Sequence, residues 1–125
     1  MKSFWAATTC LLALSAASLP PQPAHARAPY KKEFEALYLT AAADPAFVKA
    51  ADAAKCNICH VAGKKKKDRN AYGKALAKLL AKDDEKNVPK IKAALEAVAK
   101  EHSDPANPAS PAFGERIKAG KLPGG

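Results

Sequence analysis

Five consecutive residues carry the side chains with the clearest chemical use. Cys56-Asn57-Ile58-Cys59-His60 has the C-x-x-C-H spacing that is typical of covalent attachment of a c-type haem. Two thiols three positions apart on one turn can add to two vinyl groups of one porphyrin, giving two thioether bonds. The imidazole of His60 can then bind the iron from the proximal side. The motif predicts one haem c per chain, held by Cys56 and Cys59 and ligated by His60.

Two other interpretations of these residues stay open at this point. A C-x-x-C pair also occurs as a redox-active dithiol in a thioredoxin-like strand–helix context, although the sequence contains no convincing strand. A structural zinc site requires four ligands. Outside the predicted leader, the available ligands are Cys56, Cys59, His60 and the distant His102.

The first 26 residues have the pattern of a secretory signal peptide. A basic start at Lys2 is followed by an apolar run and then by Ala24-His25-Ala26, small residues of the kind that a signal peptidase reads. Cleavage after Ala26 is favoured over cleavage after Ala28, because Pro29 would adjoin the second cut. The apolar run is short and interrupted by prolines, so we expect no stable membrane span after cleavage.

Removal of residues 1–26 leaves residues 27–125 as a single domain, which we expect to be periplasmic or otherwise exported. Much of its hydrophobic content is alanine, and large apolar side chains are few. Such a domain has difficulty offsetting the conformational entropy lost on folding. A buried porphyrin would supply the missing apolar mass, so the haem-free form is expected to fold poorly.

Hydrophobic periodicity predicts an all-α fold of about four to five helices around one covalently bound haem, with no strand. Helix starts are indicated by the Asp44-Pro45 pair, by Asn70 and by Ser110-Pro111, and Gly120 is the predicted end of the last helix. The predicted helices are Pro29–Ala42, Ala46–Lys55, one capped by Asn70 and continuing through Lys82, one from Pro89 to about His102, and one from Ser110 to Gly120.

The chain is basic, with a formal net charge of +9. Export argues against a nucleic-acid partner, and no aromatic residues interleave the lysine run. That run, Lys64, Lys65, Lys66 and Lys67, lies in the predicted loop 63–70. The loop is either a solvated segment or a docking surface for an acidic redox protein near the haem edge.

The second axial ligand of the iron is not determined by the motif. The only methionine is Met1, so a His/Met pair is excluded within the mature chain. His102 continues an apolar stripe that includes Leu95 and Val98, which makes it a candidate distal ligand. It can equally be a histidine at a helix C-terminus, favoured there by the helix dipole and bonded to carbonyls or solvent. A lysine, water or an open site are the remaining choices.

Three segments together resemble small monohaem cytochromes c of planctomycete type: Cys56–His60, Asn70-Ala71-Tyr72-Gly73-Lys74, and the terminal stretch from Pro111 to Gly120. In outline the order also resembles the class I cytochrome c fold, in which a helix carrying the haem motif packs on a C-terminal helix. The resemblance implies a cytochrome c-like bundle around the haem.

The chain is also similar to the paired haem c subunits of anaerobic ammonium oxidisers, which are described as His/Cys ligated, low in potential and able to bind NO and CO. Cys56, Cys59 and His60 match that group, but its distal cysteine has no counterpart in the mature chain. The class I distal methionine is missing as well.

These observations predict an exported single-electron carrier with one haem c and a non-Met distal side. The alternative is a binder or sensor of small gases such as NO and CO, functioning as a subunit of a homo- or heterodimer. We do not expect an enzyme. A peroxidase-like site would need a distal acid–base histidine beside an arginine, and only His102 and Arg116 could supply that pair.

Overall fold

The structure of the protein is a computed structural model that describes residues 27–125. The predicted signal peptide and its cleavage site after Ala26 lie outside the described residues. The described part of the chain is largely helical and contains no β-strand, which confirms the predicted all-α class. Five α-helices are present there, α1 (Ala28–Tyr38), α2 (Pro45–Ala54), α3 (Ala71–Leu79), α4 (Val88–Ala99) and α5 (Phe113–Lys118), with 3₁₀ turns at Lys55–Ile58 and Lys82–Lys86.

Two helix starts are confirmed by their capping hydrogen bonds. The Asp44 carboxylate accepts from the amides of Ala46 at 2.7 Å and Phe47 at 3.3 Å, and Pro45 opens α2. The Asn70 side chain accepts from the amide of Gly73 at 2.9 Å and starts α3. Both caps satisfy backbone donors that have no partner within the helix. The sequence therefore located these starts from local chemistry alone.

The predicted helix ends are less accurate. α1 ends four residues before Ala42, α3 ends three residues before Lys82, and α4 ends at Ala99 rather than near His102. Beyond α4 the backbone forms other hydrogen bonds: the amide of Phe113 donates to the carbonyl of Glu101 at 3.0 Å. These tertiary bonds draw the chain away from the helical path. Because the amide of Phe113 is used in this way, α5 begins at Phe113 instead of Ser110.

The core is built around α4, which contacts α1, α3 and α5. Ile91, Leu95 and Val98 of α4 are fully buried. The Tyr72 ring of α3 meets Phe34 of α1 edge-on at 5.9 Å between centroids and, on another side, Phe113 of α5 at 5.2 Å. These aromatic contacts join three helices over a small area. Leu79 and Val88, by contrast, are exposed.

A glycine sets the distance between α4 and α5. A Cβ at Gly114 would lie 2.9 Å from the carbonyl oxygen of Ala99, so the two helices cross closely at this residue. The predicted end of the last helix is also marked by a glycine: Gly120 has φ +71°, a left-handed conformation that glycine adopts without strain.

We expect Gly114→Ala to lower the free energy of unfolding by about 1–3 kcal/mol, because the added methyl group must push α4 and α5 apart. Urea unfolding of the mature protein, followed by helical circular dichroism, measures the loss. Lys118→Ala, an exposed change in the same helix, is the matched control. Equal unfolding midpoints for the two variants would contradict the close crossing.

Candidate functional site

The C-x-x-C-H motif follows directly on the end of α2. Lys55 has φ +49°, a conformation that is unfavourable for a residue with a Cβ and that turns the chain out of the helix. In the 3₁₀ turn that follows, the carbonyl of Cys56 accepts from the amides of Cys59 at 3.2 Å and His60 at 3.1 Å. This single turn directs both cysteines and the histidine to one cavity.

That cavity has a volume of about 510 Å³, within the range of roughly 300–1,000 Å³ found for small-molecule and cofactor sites. Cys56, Cys59 and His60 all line it, so the structure brings the three predicted haem-binding residues together. Much of the remaining lining is apolar and comes from the motif and from α1, α3 and α4. These residues are Phe34, Ile58, Leu76, Ala77, Leu80 and Leu95.

The charged residues that line the cavity all have the same sign. Six cationic side chains take part and, within residues 27–125, no carboxylate does. Arg27 pairs with Glu85 at 3.7 Å and Lys31 pairs with Glu35, so two of the charges are partly balanced from outside. An apolar interior with a cationic lining suits a ligand that has an apolar body and acidic groups. The six are Arg27, Lys31, Lys55, Lys66, Lys67 and Arg69.

The surroundings of His60 favour its uncharged imidazole. Burial, assisted by the neighbouring charge of Arg69, lowers the pKa of His60, while hydrogen bonding to the main chain of Lys66 and Asp68 acts in the opposite direction. The net effect favours the neutral imidazole, which is the form that binds metals. Its Nδ1 atom is buried and has no hydrogen-bond partner.

The two thiols are not joined in a disulfide, and they differ in exposure. Cys56 is exposed, whereas Cys59 is half-buried and burial raises its pKa to about 12. Both follow the C-terminal end of α2, where the helix dipole does not stabilise a thiolate. Reactive dithiols are favoured by the opposite placement, at a helix N-terminus. The position of the motif therefore suits covalent haem attachment better than a redox dithiol.

Asn70 ties the motif to the start of α3. Its amide group donates to the carbonyls of Asn57 at 3.1 Å and Ile58 at 3.0 Å, while its side-chain oxygen caps α3 through Gly73. Its own backbone amide donates to the carbonyl of Cys59 at 3.1 Å. The sequence predicted only the cap. The contacts with the motif join segments about twelve residues apart, which no local pattern indicates.

Gly73 is a second residue whose role the sequence did not indicate. A Cβ at this position would lie 2.0 Å from the carbonyl oxygen of Cys59, a distance that no side chain tolerates. The first turn of α3 therefore rests directly on the backbone of the motif. The sequence feature that could have indicated this close contact is a glycine three residues after the capping Asn70, in the segment 70–74.

The lysine run forms a closed loop beside the cavity. His60 and Arg69 form an antiparallel bridge, and the amide of Val61 donates to the carbonyl of Asp68 at 2.9 Å. The residues between them, including Lys64 to Lys67, are exposed, and Lys66 and Lys67 also line the cavity. The loop thus adjoins the cavity as a docking surface would require. Its exposure equally fits a solvated segment.

His102 lies away from this site. It is exposed, its Nδ1 is 2.7 Å from the carbonyl oxygen of Ser110, and its backbone bridges Ala112. It does not line the cavity. The prediction that His102 extends the buried stripe of α4 is wrong, because the helix ends at Ala99. As a distal ligand, His102 stays a prediction that its position does not support.

The four residues considered for zinc are not gathered, since His102 is separate from Cys56, Cys59 and His60. Within residues 27–125, no group of three or more His, Cys, Asp or Glu side chains is arranged to hold a metal ion. No helix in that range has the length and hydrophobicity needed to cross a lipid bilayer.

Comparison of the chain with protein-family models, with curated proteins and with solved structures found no match. Interpretation of the site therefore depends on its own residues and geometry.

We expect Asn70→Ala to reduce the free energy of unfolding by about 3 kcal/mol, since it removes a helix cap worth about 1 kcal/mol and two further hydrogen bonds. Asn87→Ala is the matched control, because Asn87 caps α4 through the amide of Lys90 but its side chain has no other bond here. It should cost about 1 kcal/mol in the same urea experiment.

Asn70→Asp separates the two roles of Asn70. The carboxylate can still cap α3, but its second oxygen would face the carbonyls of Asn57 and Ile58 without a proton to donate. Asn70→Asp should therefore also cost more than Asn87→Ala, although it keeps the cap. If Asn70→Ala lowered the free energy of unfolding no more than Asn87→Ala does, the hydrogen bonds between Asn70 and the motif would contribute nothing to stability.

Proposed function

We propose that the protein is an exported c-type cytochrome that carries single electrons on one haem c. Cys56 and Cys59 would hold the porphyrin through thioether bonds, and His60 would be the proximal ligand of the iron. The observation that carries this proposal is that all three side chains line one cavity that is otherwise largely apolar and carries cationic residues. An attached haem would supply a ferrous–ferric couple.

The protein residues would control that couple in three ways. The apolar lining residues of α1, α3 and α4 would exclude water from a bound haem. The cationic residues of the cavity can pair with the propionates. The imidazole of His60, whose neutral form is favoured by burial, would provide the lone pair. A distal side without methionine favours a lower potential than a His/Met pair would give.

The surface next to the motif supports electron exchange with an acidic partner. Cys56 is exposed, so the porphyrin edge bonded to it would lie near solvent. Lys66 and Lys67 of the exposed run Lys64–Lys67 line the same cavity, so the run would lie close to a haem held there. Positive charge close to the exit point of the electron would orient an acidic protein for transfer.

The docking surface predicts a salt-dependent reaction with an anionic oxidant. Oxidation of the reduced protein by hexacyanoferrate(III) should slow as ionic strength rises, because salt screens the attraction. Changing Lys64–Lys67 to glutamine should reduce the low-salt rate by about tenfold and flatten the salt dependence. Stopped-flow absorbance measures both.

The matched control changes four other exposed lysines to glutamine, Lys78, Lys82, Lys86 and Lys100. It alters the net charge equally but leaves the loop intact, so it should slow the reaction less. Equal effects of the two quadruple variants on the rate would contradict the docking surface, because net charge alone would then explain the salt dependence.

A binder or sensor of small gases is the second candidate. It is favoured by the apolar wall of Phe34, Leu76 and Leu80, by the absence of methionine from residues 27–125, and by the position of His102 away from the cavity. Such a protein needs an open or displaceable distal position.

Carbon monoxide separates the two candidates. An electron carrier with both axial positions filled should keep its ferrous absorption spectrum when CO is added. The ferrous spectrum of a gas binder should shift. We expect the unshifted spectrum. A CO-shifted spectrum of the unmodified protein would favour gas binding over electron transfer as the function.

A further inference from the structure

The six cationic residues that line the cavity differ in how strongly their charge is weakened by solvent or by a carboxylate. Two of them are opposed by a carboxylate, Arg27 by Glu85 and Lys31 by Glu35. Three others are exposed, and water screens their charge: Lys55, Lys66 and Lys67. Arg69 is half-buried and, within residues 27–125, forms no ion pair. Of the six charges, that of Arg69 should therefore be felt most strongly inside the cavity.

The backbone of Arg69 is fixed against the motif. His60 and Arg69 form an antiparallel bridge. On one side of the bridge, the carbonyl of Asp68 accepts a main-chain amide from the residue after His60 at 2.9 Å. On the other side, the amide of Asn70 donates to the carbonyl of Cys59 at 3.1 Å. Both neighbours of Arg69 are thus bonded to the segment that carries the proximal histidine, so Arg69 cannot move away from His60 without breaking these bonds.

The Arg69 side chain acts on two groups of the motif at once. Arg69 lines the cavity together with Cys59 and His60. Burial is the main cause of the shifted pKa of Cys59 and of His60, and the charge of Arg69 contributes to both shifts. Lys66 also acts on His60, but it is exposed. Because a guanidinium stays protonated at any physiological pH, the charge of Arg69 beside these groups is permanent.

We propose that Arg69 raises the reduction potential of the haem iron. This inference rests on the proposed haem site. Ferric iron carries one more positive charge than ferrous iron, so a fixed positive charge beside the proximal ligand disfavours the ferric state. Arg69 would not touch the iron; it acts from its fixed position next to His60. It would partly offset the lower potential expected from a distal side without methionine.

The test removes, keeps or relocates one positive charge. Arg69→Gln removes the charge and leaves the backbone bonds in place, and Arg69→Lys keeps a charge at the same position. Lys67→Gln is the matched control, because it removes a charge from an exposed residue that lines the same cavity. All forms are made in a host competent in cytochrome c maturation, and mass spectrometry establishes the covalent haem of each.

The reduction potential, measured by spectroelectrochemical titration at low and at high salt, is the readout. Arg69→Gln should raise the ferric-to-ferrous ratio at a fixed electrode potential by about three- to tenfold. This change should persist at high salt, because a half-buried charge is screened little. Lys67→Gln should cause a smaller change that fades as salt is added. Arg69→Lys should stay close to the unmodified protein.

A second variant, Arg69→Met, removes the same charge and should give the same change in potential, so the comparison does not depend on one substitution maturing. Three results would overturn the inference: charge-removing variants that keep the unmodified potential, a change no larger than that of Lys67→Gln, or an Arg69→Lys variant whose potential falls as far as that of Arg69→Gln. Covalent haem in these proteins would leave the haem site itself intact. Lack of covalent haem in the unmodified protein would overturn the haem site together with this inference.

Discussion

The close contact between the backbone of the motif and the first turn of α3 determines the geometry of the site. Gly73 lies against the carbonyl of Cys59, and Asn70 holds both segments through its side chain and its backbone amide. With these contacts in place, α3 runs along the cavity, and Leu76 lines it. A larger residue at position 73 would separate the motif from α3 and open the cavity wall.

An apolar occupant of the cavity would add hydrophobic contacts to a chain that has few large side chains. The aromatic contacts of Tyr72 with Phe34 and Phe113 and the buried face of α4 make a compact core. The cavity adjoins this core at Phe34 and Leu95, and an apolar cofactor there would complete the packing. The Tyr72 hydroxyl is buried without a partner, a cost of about 1–3 kcal/mol that a small core carries with difficulty. Both features agree with the expectation that the haem-free chain folds poorly.

The parts of the fold predicted from sequence are those that local chemistry determines. Asp44 and Asn70 were identified as caps because side-chain acceptors at helix starts have a short-range signal. The helix ends were wrong where distant backbone groups compete, as the bond from Phe113 to Glu101 does beyond α4. The position of His102 follows from that competition. A pattern of spacing along one helix could not indicate where the chain leaves it.

The same distinction applies to the site. Cys56, Cys59 and His60 were found because their spacing alone implies their chemistry, and the cavity collects all three. Asn70 and Gly73 act on the motif from more than ten residues away, so their roles became visible only from contacts. The cationic lining likewise draws on α1, the segment before the motif, and the loop after it.

The measurement that tests the central claim most directly is the covalent attachment of haem to the exported chain. The protein is expressed in a host competent in cytochrome c maturation, unfolded in denaturant with pyridine, reduced, and compared with the Cys56→Ala/Cys59→Ala variant. The account predicts that haem stays bound to the unfolded wild-type chain, with the spectrum of a two-thioether haem and a mass increased by one haem, and that the variant carries none. A wild-type chain without attached haem would contradict it.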